Sequence, residues 1–110
     1  MLIKAEAIGV NFIDTYFRSG QYPREVPFVL GTEVCGTVEA VGDDVAALSI
    51  GDRVVTAQAD GAYAEYCLAP ADFCAYVPEG VSPDAAARYR LAGSRPAGVA
   101  NPAVSVYLAR

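Results

Sequence analysis

Residues 33–57, EVCGTVEAVGDDVAALSIGDRVVTA, hold the pattern on which the fold turns. From Glu33 to Val41, Val34, Gly36, Val38 and Ala40 alternate with Cys35, Thr37 and Glu39. That is the two-residue period of a β-strand with two distinct faces. Gly36 inside the run marks a bend or a place where another backbone comes close. Gly42-Asp43-Asp44 and then Gly51-Asp52 carry turn chemistry, and the valine-rich run from Arg53 to Ala57 reads as the returning strand.

The same reading extends outward in both directions. In Leu2 to Ala7, Ile3, Ala5 and Ala7 alternate with Lys4 and Glu6, the period of a half-buried strand. Turn signals at Asp60-Gly61, Pro70-Ala71-Asp72 and Pro78-Glu79-Gly80 bound two more short strands, Tyr63 to Leu68 and Ala75 to Val77. Short strands at this spacing predict a sandwich or partly closed barrel. Ser82-Pro83-Asp84 ahead of three alanines is a helix start, because Ser caps, Pro suits the first helical position and Asp complements the positive helix end. No amphipathic run follows. Residues 92–102, AGSRPAGVANP, are breakers, and VSVYLAR at 104–110 reads as one more short strand.

Residues 9–20, GVNFIDTYFRSG, break the strand pattern. Asn11 stands where a helix cap belongs, Asp14 follows three residues later and Gly20 ends the run, so a short helix is expected from Phe12 to Ser19. Read for folding alone, Asn11 accepts a backbone N–H, Asp14 faces the helix dipole, and Phe12, Ile13 and Tyr16 supply core. Read for chemistry, the Asn11 amide, the Tyr16 and Tyr22 hydroxyls and the Arg18 guanidinium are donors of the kind that would meet negative charge developing on a carbonyl or quinone oxygen. Phe12 and Ile13 would then floor an apolar slot.

Composition narrows the function. A chain of 110 residues suits one domain with a single modest core. Its net charge of −5 opposes binding to nucleic acid or to anionic lipid. No histidine is present, which removes imidazole acid–base chemistry and most catalytic zinc sites. Cys35, Cys67 and Cys74 form no CxxC pair and read as reduced, buried small apolar residues of a cytoplasmic protein. Lys4 and Glu6 interrupt the N-terminal apolar run, so it makes neither a signal peptide nor a membrane span.

Four ordered blocks, AIGVNFIDTYFRSGQYP, LGTEVCGTVEAVG, GDRVV and GAYAEY, together resemble the zinc-independent quinone oxidoreductases of the medium-chain dehydrogenase/reductase superfamily. The resemblance covers residues 3 to about 87. It implies a mostly β catalytic domain, a GroES-like partly open barrel with short helices, over residues 1–87. That domain would lack the family's first hairpin. Residues 88–110 are an atypical tail, in which SVYLAR resembles a segment late in the family's cofactor domain, as a deletion, a frameshift or a misplaced gene boundary would leave.

The resemblance also implies site residues. Phe12, Ile13, Asp14 and Tyr16 would touch NADPH, Asn11 and Tyr22 would line the quinone side, and Asp14 would orient a neighbour rather than donate a proton. Where zinc relatives carry Gly-His-Glu, this chain has Gly31-Thr32-Glu33, so no metal is expected, and Glu33 is left as a polar strand residue paired with Arg53. Gly51-Asp52-Arg53-Val54-Val55 is expected to be structural, its valines returning to the barrel, and Tyr63 and Tyr66 to pack with a hydroxyl at the edge.

The family's Rossmann domain carries the cofactor on a G-x-G-x-x-G-like turn, and no such segment occurs here. Preorganised positioning lost with that domain is worth about 7 to 11 kcal/mol of barrier, so the isolated chain is expected to turn over little or nothing. The leading expectation is thus a truncated quinone reductase acting on a small-molecule quinone, from a family whose members are commonly homodimeric, with the oligomeric state of this chain left open. A metal-free reductase of activated C=C bonds is the second, and a non-enzymatic barrel remnant or binding module the third.

Overall fold

The computed structural model describes residues 1–77, 79–87 and the backbone of the strand at 105–108. Its elements are β1 (Leu2–Val10), α1 (Phe12–Ser19), β2 (Glu33–Ala40), β3 (Arg53–Thr56), β4 (Tyr66–Leu68), β5 (Cys74–Tyr76) and β6 (Ser105–Leu108). A 3-10 turn at Ala71–Phe73 precedes β5. Helix also begins at residues 83–87, where the Ala86 N–H reaches the Ser82 carbonyl and the Ala85 N–H the Ser82 hydroxyl. The breaker-rich stretch at 92–102 lies outside the described residues.

One antiparallel sheet runs β4-β1-β2-β3-β5, with β6 added to β1. β1 is central: β2 pairs along one side, and on the other β4 meets Leu2 to Lys4 while β6 meets Ala7 to Val10. β4 and β5 end the path without pairing to each other, which leaves the barrel partly open, as expected. The C-terminal run read as a strand is β6.

The alternation in β1 does not serve one face throughout. Ala5 pairs with Gly36 and Ala7 with Cys35, so Glu6 is an extra residue on β1 and the strand bulges there. The bulge switches which side chains point inward. Ile3 and Ala5 join Val34, Val38 and Val54 in the larger core, whereas Ala7 joins Cys35, Val55, Ala86 and Ala87 in a smaller one. Each fully buried Val or Ile contributes about 1.5–3 kcal/mol, so the larger cluster dominates. Glu6 itself accepts hydrogen bonds from the Thr37 hydroxyl at 2.6 Å and from Arg53 at 2.9 Å.

That ion pair corrects one expectation. Arg53 lies opposite Thr37, four residues along β2 from Glu33, about 13 Å at strand rise, and its partner is Glu6. The returning valines Val54 and Val55 are buried as expected, and the Ser49 N–H donates to Asp52 to close the turn before them. The strand expected from Tyr63 begins only at Tyr66. Tyr63 spends its N–H on the Leu30 carbonyl and Ala64 its own on Ala62, which folds residues 62–64 into a tight loop. Tyr66 packs at the edge with its side chain exposed.

Candidate functional site

β1 runs out at Val10, and the chain turns at Asn11, still extended at φ −127° and ψ 159°, into α1. The helix has the bounds that capping chemistry predicts. The Asp14 carboxylate accepts the Asn11 backbone N–H at 3.0 Å, and the Asp14 N–H returns to the Asn11 carbonyl at 3.1 Å. Gly20 closes the helix in the left-handed region at φ 81°, where its N–H meets the Phe17 carbonyl. Arg18 sits in the last turn, where a cation complements the helix dipole.

Two longer contacts tie this turn to the sheet and to a distant loop. Asn11 Nδ2 donates to Glu33 Oε2 at 3.0 Å, and the Tyr63 phenol donates to Asp14 Oδ2 at 2.6 Å. Tyr63, Asp14, Asn11 and Glu33 thus form one hydrogen-bonded row crossing from loop to helix to β2. Glu33 is fully buried, Asp14 is 3% exposed and Asn11 5%. Gly9 stands opposite Glu33 in the β1–β2 register, and its bare Cα lets the carboxylate pass over β1 to reach Asn11.

The expected site residues therefore divide into two layers. Asn11 and Asp14 are interior, while Phe12 is 64% exposed, Ile13 39% and Tyr22 43%. Phe12 and Ile13 do not supply core, which corrects the folding-only reading of the segment, because the first turn of α1 points them away from the sheet. Tyr16 is half-buried and meets Tyr22 edge-to-face at 5.3 Å, and the Tyr22 N–H donates to the Tyr16 carbonyl. Arg18 is exposed. Glu33 and Tyr63 are members of the row that sequence reasoning did not place in it, and Gly9, which makes room for Glu33, was not singled out either. No local signal marks these three, because the strand pairing that sets Gly9 opposite Glu33 is fixed only in the folded chain.

The cysteines stand apart from this chemistry. Cys35 and Cys67 are buried, while Cys74 at the start of β5 is half-buried, its thiol donating to the Pro70 carbonyl. Burial, reinforced by Glu6, pushes the Cys35 thiol from its ordinary 9.0 up to about 12. Burial, with Cys74 next in effect, pushes Cys67 up to about 11. Both stay protonated near neutrality and make poor nucleophiles. Unfolding releases these protons once pH exceeds about 9. Their stabilising contribution is therefore present in full below pH 9 and is lost as pH rises toward 11 and then 12. Alkylation followed by peptide mass spectrometry at pH 8 should label Cys74 first, with Cys35 and Cys67 modified only as fast as the chain opens. Equal labelling of all three in the folded protein would contradict this placement.

Among the described residues, no three or more His, Cys, Asp or Glu side chains gather as a metal would need. No helix among them is long and apolar enough to cross a membrane. Residues 1–79 match the alcohol dehydrogenase GroES-like domain. The chain belongs to that family. This GroES-like domain is 46% identical over 93 residues to a quinone oxidoreductase of Salmonella typhimurium, an alignment covering 83% of the chain and 28% of the relative. It superposes on a mycobacterial quinone oxidoreductase with a TM-score of 0.82 at 67% identity, covering 84% of this chain and 30% of that one. On the Escherichia coli quinone oxidoreductase solved with NADPH the TM-score is 0.76 at 47% identity, over 79% and 27% of the two chains. The GroES-like domain thus spans between a quarter and a third of the length of these relatives, which are quinone oxidoreductases of the medium-chain dehydrogenase/reductase superfamily.

Proposed function

We propose that this chain is the quinone-facing part of a cytoplasmic NADPH-dependent quinone oxidoreductase, with residues 1–87 as its catalytic domain. The observation that carries the reading is the exposure of Phe12 and Ile13 directly above a buried, hydrogen-bonded turn. Phe12 and Ile13 are neighbours on the first turn of α1 beside Tyr16, and an adjacent aromatic and branched aliphatic side chain make a wall that suits the face of a flat ring. The same turn keeps two buried acceptor oxygens, Asn11 Oδ1 and Asp14 Oδ1, without a hydrogen-bond partner among the described residues. Those oxygens lie behind the wall and are closed to a ligand, so the fit rests on the exposed apolar pair Phe12 and Ile13 beside the half-buried Tyr16, which suits the face of a nicotinamide ring.

NADPH, when bound, supplies the hydride. The chain's own residues do the rest by position. Phe12, Ile13 and Tyr16 would lie against the nicotinamide and keep water from it. The Tyr16 and Tyr22 hydroxyls, on two rings that meet edge-to-face, would face the oxygen on which negative charge gathers as a quinone is reduced. Asn11, sealed behind the wall with an N–H on Glu33, and Asp14 would hold that wall in place.

The test joins this chain to the cofactor-binding remainder of the mycobacterial relative and follows NADPH absorbance with a quinone present. The joined protein should turn over, and the chain alone should be slower by roughly a thousandfold or more, because positioning of two reactants is what it lacks. A folded but silent joined protein would remove the proposal. Turnover of an enone in preference to every quinone tried would move it to reduction of activated C=C bonds.

A further inference from the structure

Tyr63 lies far from α1 in sequence, and three backbone hydrogen bonds bring it there. Ala59, Ala62 and Tyr63 donate to the carbonyls of Thr32, Gly31 and Leu30 at 2.8, 3.1 and 2.9 Å, stitching the loop to the segment before β2. Gly31, at φ +103°, leaves the room the ring needs: a Cβ there would stand 2.5 Å from Tyr63 Cδ1 and 2.9 Å from Tyr63 N. From this seat the phenol reaches Asp14 Oδ2 at 2.6 Å, the same oxygen that accepts the Asn11 N–H at 3.0 Å. Two donors converging on one carboxylate oxygen make a short, strong junction, and it sits beneath Phe12 and Ile13.

We propose that Tyr63 is a positioning residue: through Asp14 it locks the first turn of α1 in the pose that turns Phe12 and Ile13 outward as the nicotinamide wall. The inference rests on the function proposed above for that wall. Tyr63 touches neither reactant. Its effect travels through one hydroxyl, so Tyr63→Phe, which keeps the ring against Gly31, isolates it.

The experiment compares amide hydrogen exchange in the parent chain and in Tyr63→Phe under native conditions. Exchange at Asn11 and Asp14 should accelerate by at least roughly tenfold, the scale of a lost hydrogen bond to a charged group. Val38, whose N–H lies in the sheet on the Asp52 carbonyl, should change far less. Unchanged rates at Asn11 and Asp14 would overturn the proposal. So would a parallel rise at Val38, or loss of folding, because either assigns the hydroxyl to global stability.

A second arm titrates both proteins with reduced nicotinamide mononucleotide and follows the Phe12 and Ile13 amides. Shifts in the parent, weakened about tenfold in Tyr63→Phe, support the inference, and equal shifts in the two proteins contradict it. No shift in the parent removes the nicotinamide wall itself, while the exchange rates still decide whether Tyr63 fixes the turn.

Discussion

Gly36→Ala should destabilise the chain by about 3 kcal/mol or more, the upper end of what overpacking a filled site costs. A Cβ at this position would lie 2.1 Å from the Lys4 carbonyl oxygen, 2.9 Å from its carbon and 2.8 Å from Ile3 Cγ2. Backbone cannot rotate aside as a side chain can, so β1 and β2 must part where Ala5 faces Gly36. The pairing that parts is the longest in the sheet and carries the bulge that sorts side chains between the two cores. Urea unfolding followed by circular dichroism measures the loss, with Gly42→Ala as the control. The control's Cβ would meet only the Asp44 side-chain oxygen, at 3.1 Å, which can swing outward. Its effect should stay within about 0.5 kcal/mol. A Gly36→Ala loss below about 1 kcal/mol would show that the strands are not this close.

Gly9→Ala should cost about 1–3 kcal/mol without changing any residue of the hydrogen-bonded row. The added Cβ would stand 2.2 Å from Glu33 Oε2 and 2.7 Å from its Cδ. Glu33 is fully buried, so its carboxylate must shift within packed surroundings, and the bond from Asn11 Nδ2 is the first thing lost. The diagnostic is a double-mutant cycle with Asn11→Ala, which removes the same bond from the other side. Because the two changes share one contact, their combined cost should fall short of the sum by about 1 kcal/mol. Additive costs would mean that Gly9 serves the register of β1 and not the seat of Glu33.

How much of this was legible in the chain depends on how far each signal reaches. α1 was readable to the residue because the Asp14 carboxylate and Gly20 act on backbone groups within four positions of themselves. The Asn11 side chain, expected to accept a backbone N–H, does not cap the helix and leaves that bond to its own carbonyl. The close approach at Gly36 was readable because a glycine weakens an alternating strand and persists there where a side chain would not fit. The bulge at Glu6 was not: alternation in Ile3, Ala5 and Ala7 is the same whether the three share one face or are divided between two cores. Glu33 and Arg53 are both charged strand residues and look like natural partners in one dimension. The register instead sets Arg53 beside Thr37, within reach of Glu6.

The candidate site divides along the same line. Residue types at 11–22, and their ordered companions downstream, pointed to a metal-free hydride site and named Phe12, Ile13 and Tyr16 as its wall. They could not say which of these face outward, since burial depends on what the rest of the chain brings against the helix.

By itself, then, the sequence determined the class of fold, the bounds of α1, the turns and the repertoire of donors, all written in periods of two or four residues. Only the tertiary structure decided that Asn11 would spend its amide on a residue 22 positions away and Asp14 would receive a phenol from 49 positions away. The reason is physical: a hydrogen bond across a sheet is chosen by register and loop path, and no local propensity encodes either.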